Sequence, residues 1–189
     1  GIDTDDLELP DGVAVHVVAG QYLNLNLHLF DATDNPLTGH SAVLVKTIDA
    51  SQVVNEADVT FAGARMFTPI PVGNMQLVQG GCSIPAGPDW HVFALWPHMH
   101  TAGVHQTDTI NEATPAMLDV DFAFTEQRNY NMGTTVLHPT DQLIVNCYYD
   151  NATGKPIPYG TGSDAEMCLV GVYRWPVIES NTPYECVTN

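Results

Sequence analysis

The chain has 189 residues, 44% of them apolar, which is enough to bury the core of one domain. Lys and Arg number 5 against 22 Asp and Glu, a net charge of −17, so nucleic acid and anionic membranes are poor partners. A mean hydropathy of −0.03 without any long apolar run excludes a membrane-spanning helix.

Residues 1–12 form an acidic lead-in with neither the basic nor the apolar region of a secretory leader, so any signal segment is expected to have been removed. Val13–Val18 and Tyr22–Phe30 read as strands joined by the turn Ala19-Gly20-Gln21. The second alternates Leu23, Leu25, Leu27 and Leu29 against Asn24, Asn26 and His28. A loop over Asp31–Gly39 precedes a strand at Ser41–Thr47. A short strand within Glu56–Arg65 leads to the Pro-rich connection Thr68–Gly73, and a further strand covers Asn74–Gly80.

Pro85–Pro88 turns the chain into WHVFALWPHMHTAGVH, residues Trp90 to His105, a strand that Pro97 is expected to stop. Thr107–Pro115 is polar, Met117–Phe124 alternates, Asn129–Gly133 is turn-like and Thr135–Leu137 is short. Leu143–Tyr149 and Met167–Trp175 read as strands, with a loop over Asp150–Pro156 between them. Asn151-Ala-Thr matches the glycosylation acceptor pattern, a short motif common by chance. Short strands at regular spacing, 15 Gly, 13 Pro and no helical period predict an all-β, antiparallel sandwich or jelly roll.

In an extended segment His98 and His100 point to one side, roughly 7 Å apart along the backbone. Two imidazoles held that way can share a metal ion, with a third ligand required. His91 and His105 lie nearby as residues that could orient the pair. Met167 stands at the start of a strand, directly before Cys168. A flexible thioether is a poor ligand unless its backbone is pinned, which a neighbouring disulfide does, and sulfur favours Cu(I). The other methionines, such as Met66 and Met117, read as core filler. Cys82, Cys147, Cys168 and Cys186 contain no Cys-x-x-Cys, so two disulfides in an oxidising, secreted or periplasmic setting are favoured over a thiolate zinc site.

His91-Val-Phe-Ala, His98-Met99-His100, Gly103, Asn146-Cys147-Tyr148 and Glu166-Met167-Cys168 together resemble the C-terminal domain of the copper type II ascorbate-dependent monooxygenases, the family of peptidylglycine α-hydroxylating and dopamine β-monooxygenases. The similarity runs from about Ser41 to Cys186. It implies a jelly-roll-like β-sandwich in which His98, His100 and Met167 hold the copper that binds dioxygen. It also implies the disulfides Cys147–Cys168 and Cys82–Cys186, ascorbate as reductant, and hydroxylation of a C–H bond in a small-molecule or peptide substrate.

The family's second copper takes adjacent histidines from an upstream domain plus one histidine on a strand that Tyr22–His28 resembles, which makes His28 its candidate ligand here. No His-His dipeptide occurs in these residues. The expected division is residues 1–40, leading in from an upstream domain, and a copper-binding sandwich over 41–189. Trp96 stands where the peptide hydroxylase has a basic residue, which argues against recognition of a peptide carboxylate. Two other readings use the same residues: a copper-binding or copper-delivery module, and a zinc hydrolase built from His98, His100 and His105 or an Asp. His16, His40 and His138 read as surface residues.

Overall fold

The computed structural model describes residues 6–22, 36, 38–178 and 185–188. The predicted strand Tyr22–Phe30, His28 included, lies almost wholly outside them. In chain order the strands are β1 Val13–Ala14, β2 Asn55–Glu56, β3 Asp58–Ala64, β4 Gly73–Ser83, β5 Trp90–His98, β6 Gly103–Ile110, β7 Leu118–Asp121, β8 Tyr130–Leu137, β9 Gln142–Asn151, β10 Cys168–Trp175 and β11 Glu185–Thr188. The helical residues among those described form two single 3₁₀ turns, at Ala50–Gln52 and Phe124–Glu126.

One sheet runs β7-β6-β9-β4-β3-β10-β5-β8, antiparallel throughout, with β11 added parallel to β3. Its two halves meet at a single rung, Gly63 opposite Gly81. A side chain at Gly80 would run into the Gly63–Ala64 backbone there, so small residues let the sheet curl tightly enough to face itself. The expected antiparallel, jelly-roll-like sandwich follows.

Alternation places the core between the two halves. On β9 Leu143, Val145, Cys147 and Tyr149 are buried, and they meet Val170 and Val172 of β10 and Val92 of β5. The disulfide Cys147–Cys168 ties the halves together across this core, and Cys82–Cys186 ties β11 to β4. Both pairings agree with those implied by the family resemblance.

Four local expectations are corrected. Ser41–Thr47 is not a strand: Val43, Leu44 and Val45 are exposed, and β-branched residues make a strand only where a partner strand receives them. The Val13–Val18 strand shortens to Val13–Ala14, whose partner β2 is only two residues long. Within the expected turn Asn129–Gly133, residues 130–133 are instead the first half of β8, because their register with β5 supplies the pairing. The polar Thr107–Pro115 segment contributes to β6, in which the polar residues Gln106 and Asp108 are buried and Gln106 Nε2 donates to Asp108 Oδ1 at 3.0 Å.

Pro97 does not stop β5. The ladder to β8 ends at Leu95, so beyond it β5 has a neighbour on one side only, where proline is tolerated. β5 thereby carries His98 to the rim of the sheet. The Asn151 side chain is buried and donates to the carbonyls of Ile70, Pro71 and Lys155, so it organises its loop and is not presented for glycosylation.

Candidate metal centre

The imidazole pair sits where β5 ends and the chain turns toward β6. The His98 and His100 rings lie 5.3 Å apart between centroids, at 85° to one another. Their Nδ1 atoms meet acceptors. His98 Nδ1 is 2.8 Å from Gln127 Oε1, and that amide is oriented by its own donation from Nε2 to the Phe124 carbonyl at 3.1 Å. His100 Nδ1 is 2.9 Å from the Ala165 carbonyl oxygen. An acceptor at Nδ1 requires the proton there, so both rings hold the tautomer whose lone pair is on Nε2. That is the arrangement in which histidines bind a metal while a second group fixes their orientation.

The Glu166 side chain is fully buried beneath the same turn. Its two carboxylate oxygens accept the backbone N–H groups of His100 and Ala102, each at 2.7 Å. Burial pushes its carboxyl above the usual range, opposed by these two N–H groups and by His100. Residues 165 and 166 therefore grip His100 by ring and backbone together.

Met167 follows immediately, and its backbone is held from β9. Tyr149 donates its hydroxyl to the Met167 carbonyl at 2.7 Å, and Cys168 is bonded to Cys147, two residues from that tyrosine. Burial, with the Glu166 charge, raises the Tyr149 hydroxyl well above its ordinary range, so it remains a donor. Leu169 pairs with His98 and Val170 with Pro97, so Met167 stands two residues before the partner of His98, at the end of β10 next to the imidazole pair.

His91 and His105 have partners of their own. His91 stacks on Trp175, 5.1 Å away at 8°, seven residues from His98 and about 23 Å along the strand. His105 has Nδ1 at 3.0 Å from Asp121 and Nε2 at 3.0 Å from Asp119, so both of its ring nitrogens meet carboxylates on β7. Among the described residues no three His, Cys, Asp or Glu side chains form a metal group, which leaves the zinc arrangement without a third ligand there. His28 lies outside the described residues. The concavity formed by Gln79, Gly80 and Leu143 on the β4–β9 face contains no titratable side chain and offers no chemistry.

Reading the residues by type singled out the imidazoles and the thioether but gave no role to Gln127, Glu166 or Tyr149. Glu166 precedes Met167 in the motif, yet nothing in its sequence context shows that its carboxylate reaches back 64 and 66 residues. Gln127 carries no sequence signal at all.

The donor types fit copper: two oriented imidazoles, and a thioether on a backbone pinned from β9, suit a soft, reducible ion, and the disulfides are consistent with an oxidising compartment. No curated protein matches the chain. The model of the copper type II ascorbate-dependent monooxygenase C-terminal domain matches residues 68–189, which include the imidazole pair, Gln127, Glu166, Met167 and all four cysteines. The chain belongs to the copper type II ascorbate-dependent monooxygenase family, and carries its C-terminal domain.

Proposed function

We propose that His98, His100 and Met167 hold a single copper ion and that this domain is the oxygen-activating part of a monooxygenase. When bound, copper supplies the dioxygen chemistry that hydroxylates a substrate C–H bond, with ascorbate as the family's reductant. The observation that carries the reading is the pair of Nδ1 hydrogen bonds, to Gln127 and to the Ala165 carbonyl, which put the proton of each ring on Nδ1 and its lone pair on Nε2. In this reading Glu166 sets the turn, and Tyr149 with the disulfide fixes the backbone from which the thioether projects. The copper-binding unit runs over 41–189 and residues 1–40 lead in from an upstream domain whose second copper takes His28. The two disulfides support a secreted or periplasmic setting, and no helix among the described residues is long and apolar enough to cross a membrane.

The test is a pair of metal titrations on the wild type and Met167→Ile. Loss of the thioether is expected to weaken Cu(I) by tenfold or more while leaving Zn(II) nearly unchanged. Equal Cu(I) affinity in both proteins removes Met167 from the site. Ascorbate-dependent oxygen uptake by the copper-loaded chain then separates an oxygenase from a delivery module.

A further inference from the structure

The outward face of the other half of the sheet, formed by β4, β9, β6 and β7, carries side chains that the copper reading does not use. Leu77 of β4 pairs with Tyr148 of β9, Tyr148 with His105 of β6, and His105 with Asp121 of β7, so one rung crosses four strands. The next rung is Gln79, Asn146, Thr107 and Asp119. Directly opposed residues share a face, and alternation turns these side chains away from the core that Cys147, Gln106 and Leu118 enter. Four strands make the face about 14 Å wide, room enough for a disaccharide.

The polar groups hold one another in place. Gln79 Nε2 donates to Asn146 Oδ1 at 2.8 Å, and Asn146 Nδ2 donates to Thr107 Oγ1 at 3.3 Å. Asn146 keeps one N–H and one carbonyl lone pair for a further partner, and Thr107 keeps its O–H. His105 stands between Asp119 and Asp121 with a ring nitrogen 3.0 Å from one oxygen of each, so each carboxylate has its second oxygen for another donor. The two approach opposite edges of the ring, and among the described residues no three such side chains form a metal group.

Beside this polar row is an apolar one. Tyr148 is half-buried, its ring centroid 5.6 Å from that of His105, and its cross-strand neighbour Leu77 is 53% exposed. An apolar ring surface next to fixed donors and acceptors matches a molecule with an apolar face and hydroxyls around its rim. A pyranose with equatorial hydroxyls is such a molecule: its C–H face lies on an aromatic ring while its hydroxyls donate to carboxylates in charge-assisted hydrogen bonds. None of the five Lys and Arg lies on these four strands. An acidic sugar would bring its carboxylate against Asp119 and Asp121 without gaining a cation, on a chain of net charge −17.

We propose that this face binds a neutral, glucose-type oligosaccharide, with Tyr148 as the stacking platform, Asn146 and Thr107 as hydrogen-bonding partners, and Asp119 and Asp121 as acceptors for sugar hydroxyls. It lies on the half of the sheet that does not carry His98, and it stands or falls independently of the copper reading.

The probes are cellotetraose and the matching tetraglucuronate, in which each primary alcohol is a carboxylate. Both are titrated into the full chain, with binding followed by nuclear magnetic resonance shifts of assigned side-chain signals. Cellotetraose is expected to shift the Tyr148 ring and the Asn146 amide saturably and to leave Trp96, on the other half of the sheet, unmoved. The tetraglucuronate should bind about tenfold more weakly or worse. Tyr148→Ala should raise the cellotetraose Kd about tenfold. Tyr148→Phe keeps the ring and should stay within about threefold of the wild type, which separates a lost stacking contact from a misfolded variant. Absence of a saturable shift at Tyr148, a shift confined to Trp96, equal binding of the two probes, or an unchanged Kd in Tyr148→Ala overturns the proposal.

Discussion

Glu166 and His100, 66 residues apart in sequence, are joined by a 2.7 Å hydrogen bond from the His100 backbone N–H to Glu166 Oε2, while Oε1 accepts from Ala102. Both oxygens are committed as acceptors inside the protein. Glu166→Gln keeps the shape but turns one acceptor into an NH₂ donor facing a backbone N–H. A buried N–H left without an acceptor costs roughly 1–3 kcal/mol. The variant is expected to lose that much stability in denaturant unfolding and about tenfold in Cu(I) affinity, since groups that position ligands weaken metal binding by that order when removed.

Gln127 acts on the other ring. It holds His98 in the Nδ1–H tautomer and is itself half-buried, so Gln127→Leu removes the acceptor with little change in volume. Cu(I) affinity should fall between about tenfold and a hundredfold, with the unfolding midpoint moving little. Isothermal titration beside thermal unfolding checks both halves of the statement.

The two disulfides should separate stability from metal binding. Cys82–Cys186 spans 104 residues and Cys147–Cys168 spans 21, which on chain entropy alone contribute about 5 and about 3 kcal/mol. Removing the longer link by a double Cys→Ala change should cost more stability and leave Cu(I) affinity near wild type. Removing the shorter one releases the backbone of Met167 and should weaken Cu(I) measurably. Equal copper affinity in the two variants would contradict the pinning argument.

Asp108, which is not one of the proposed copper ligands, gives the domain a pH signature of its own. Fully buried on β6, its carboxyl is pushed up to about 7 by desolvation, opposed by the Gln106 amide. The folded state therefore holds this proton more tightly than the unfolded chain does. Its contribution is complete below pH about 4, declines as pH rises, and is lost above the folded value near 7. Asp108→Asn, which keeps an acceptor for Gln106, should flatten the fall in stability between pH 4 and 7. It should also raise the melting temperature at pH 8 by several degrees.

Much of the sheet was legible because burial on one face imposes a period of two. Leu143 to Tyr149 and Cys168 to Trp175 show it, and both are strands at nearly their expected limits. The errors came where a strand depends on its neighbours. Val43 to Val45 has strand composition but no partner among the described residues. Gln106 and Asp108 are polar yet buried together, each completing the other's hydrogen bonding. Pro97 continues β5 because the strand has a neighbour on one side only there, and sequence cannot show which side of a strand is unpaired.

By themselves the residue types and their order determined an all-β fold, the disulfide chemistry and a short set of donors that suit copper, since each follows from local pattern or from the chemistry of a side chain. Only the tertiary structure decided which nitrogen of each imidazole carries the proton and what lies beneath the turn that presents them. Those depend on Gln127, Ala165 and Glu166, which reach the site through strand register and chain reversal across dozens of residues, and register is a property of the folded sheet.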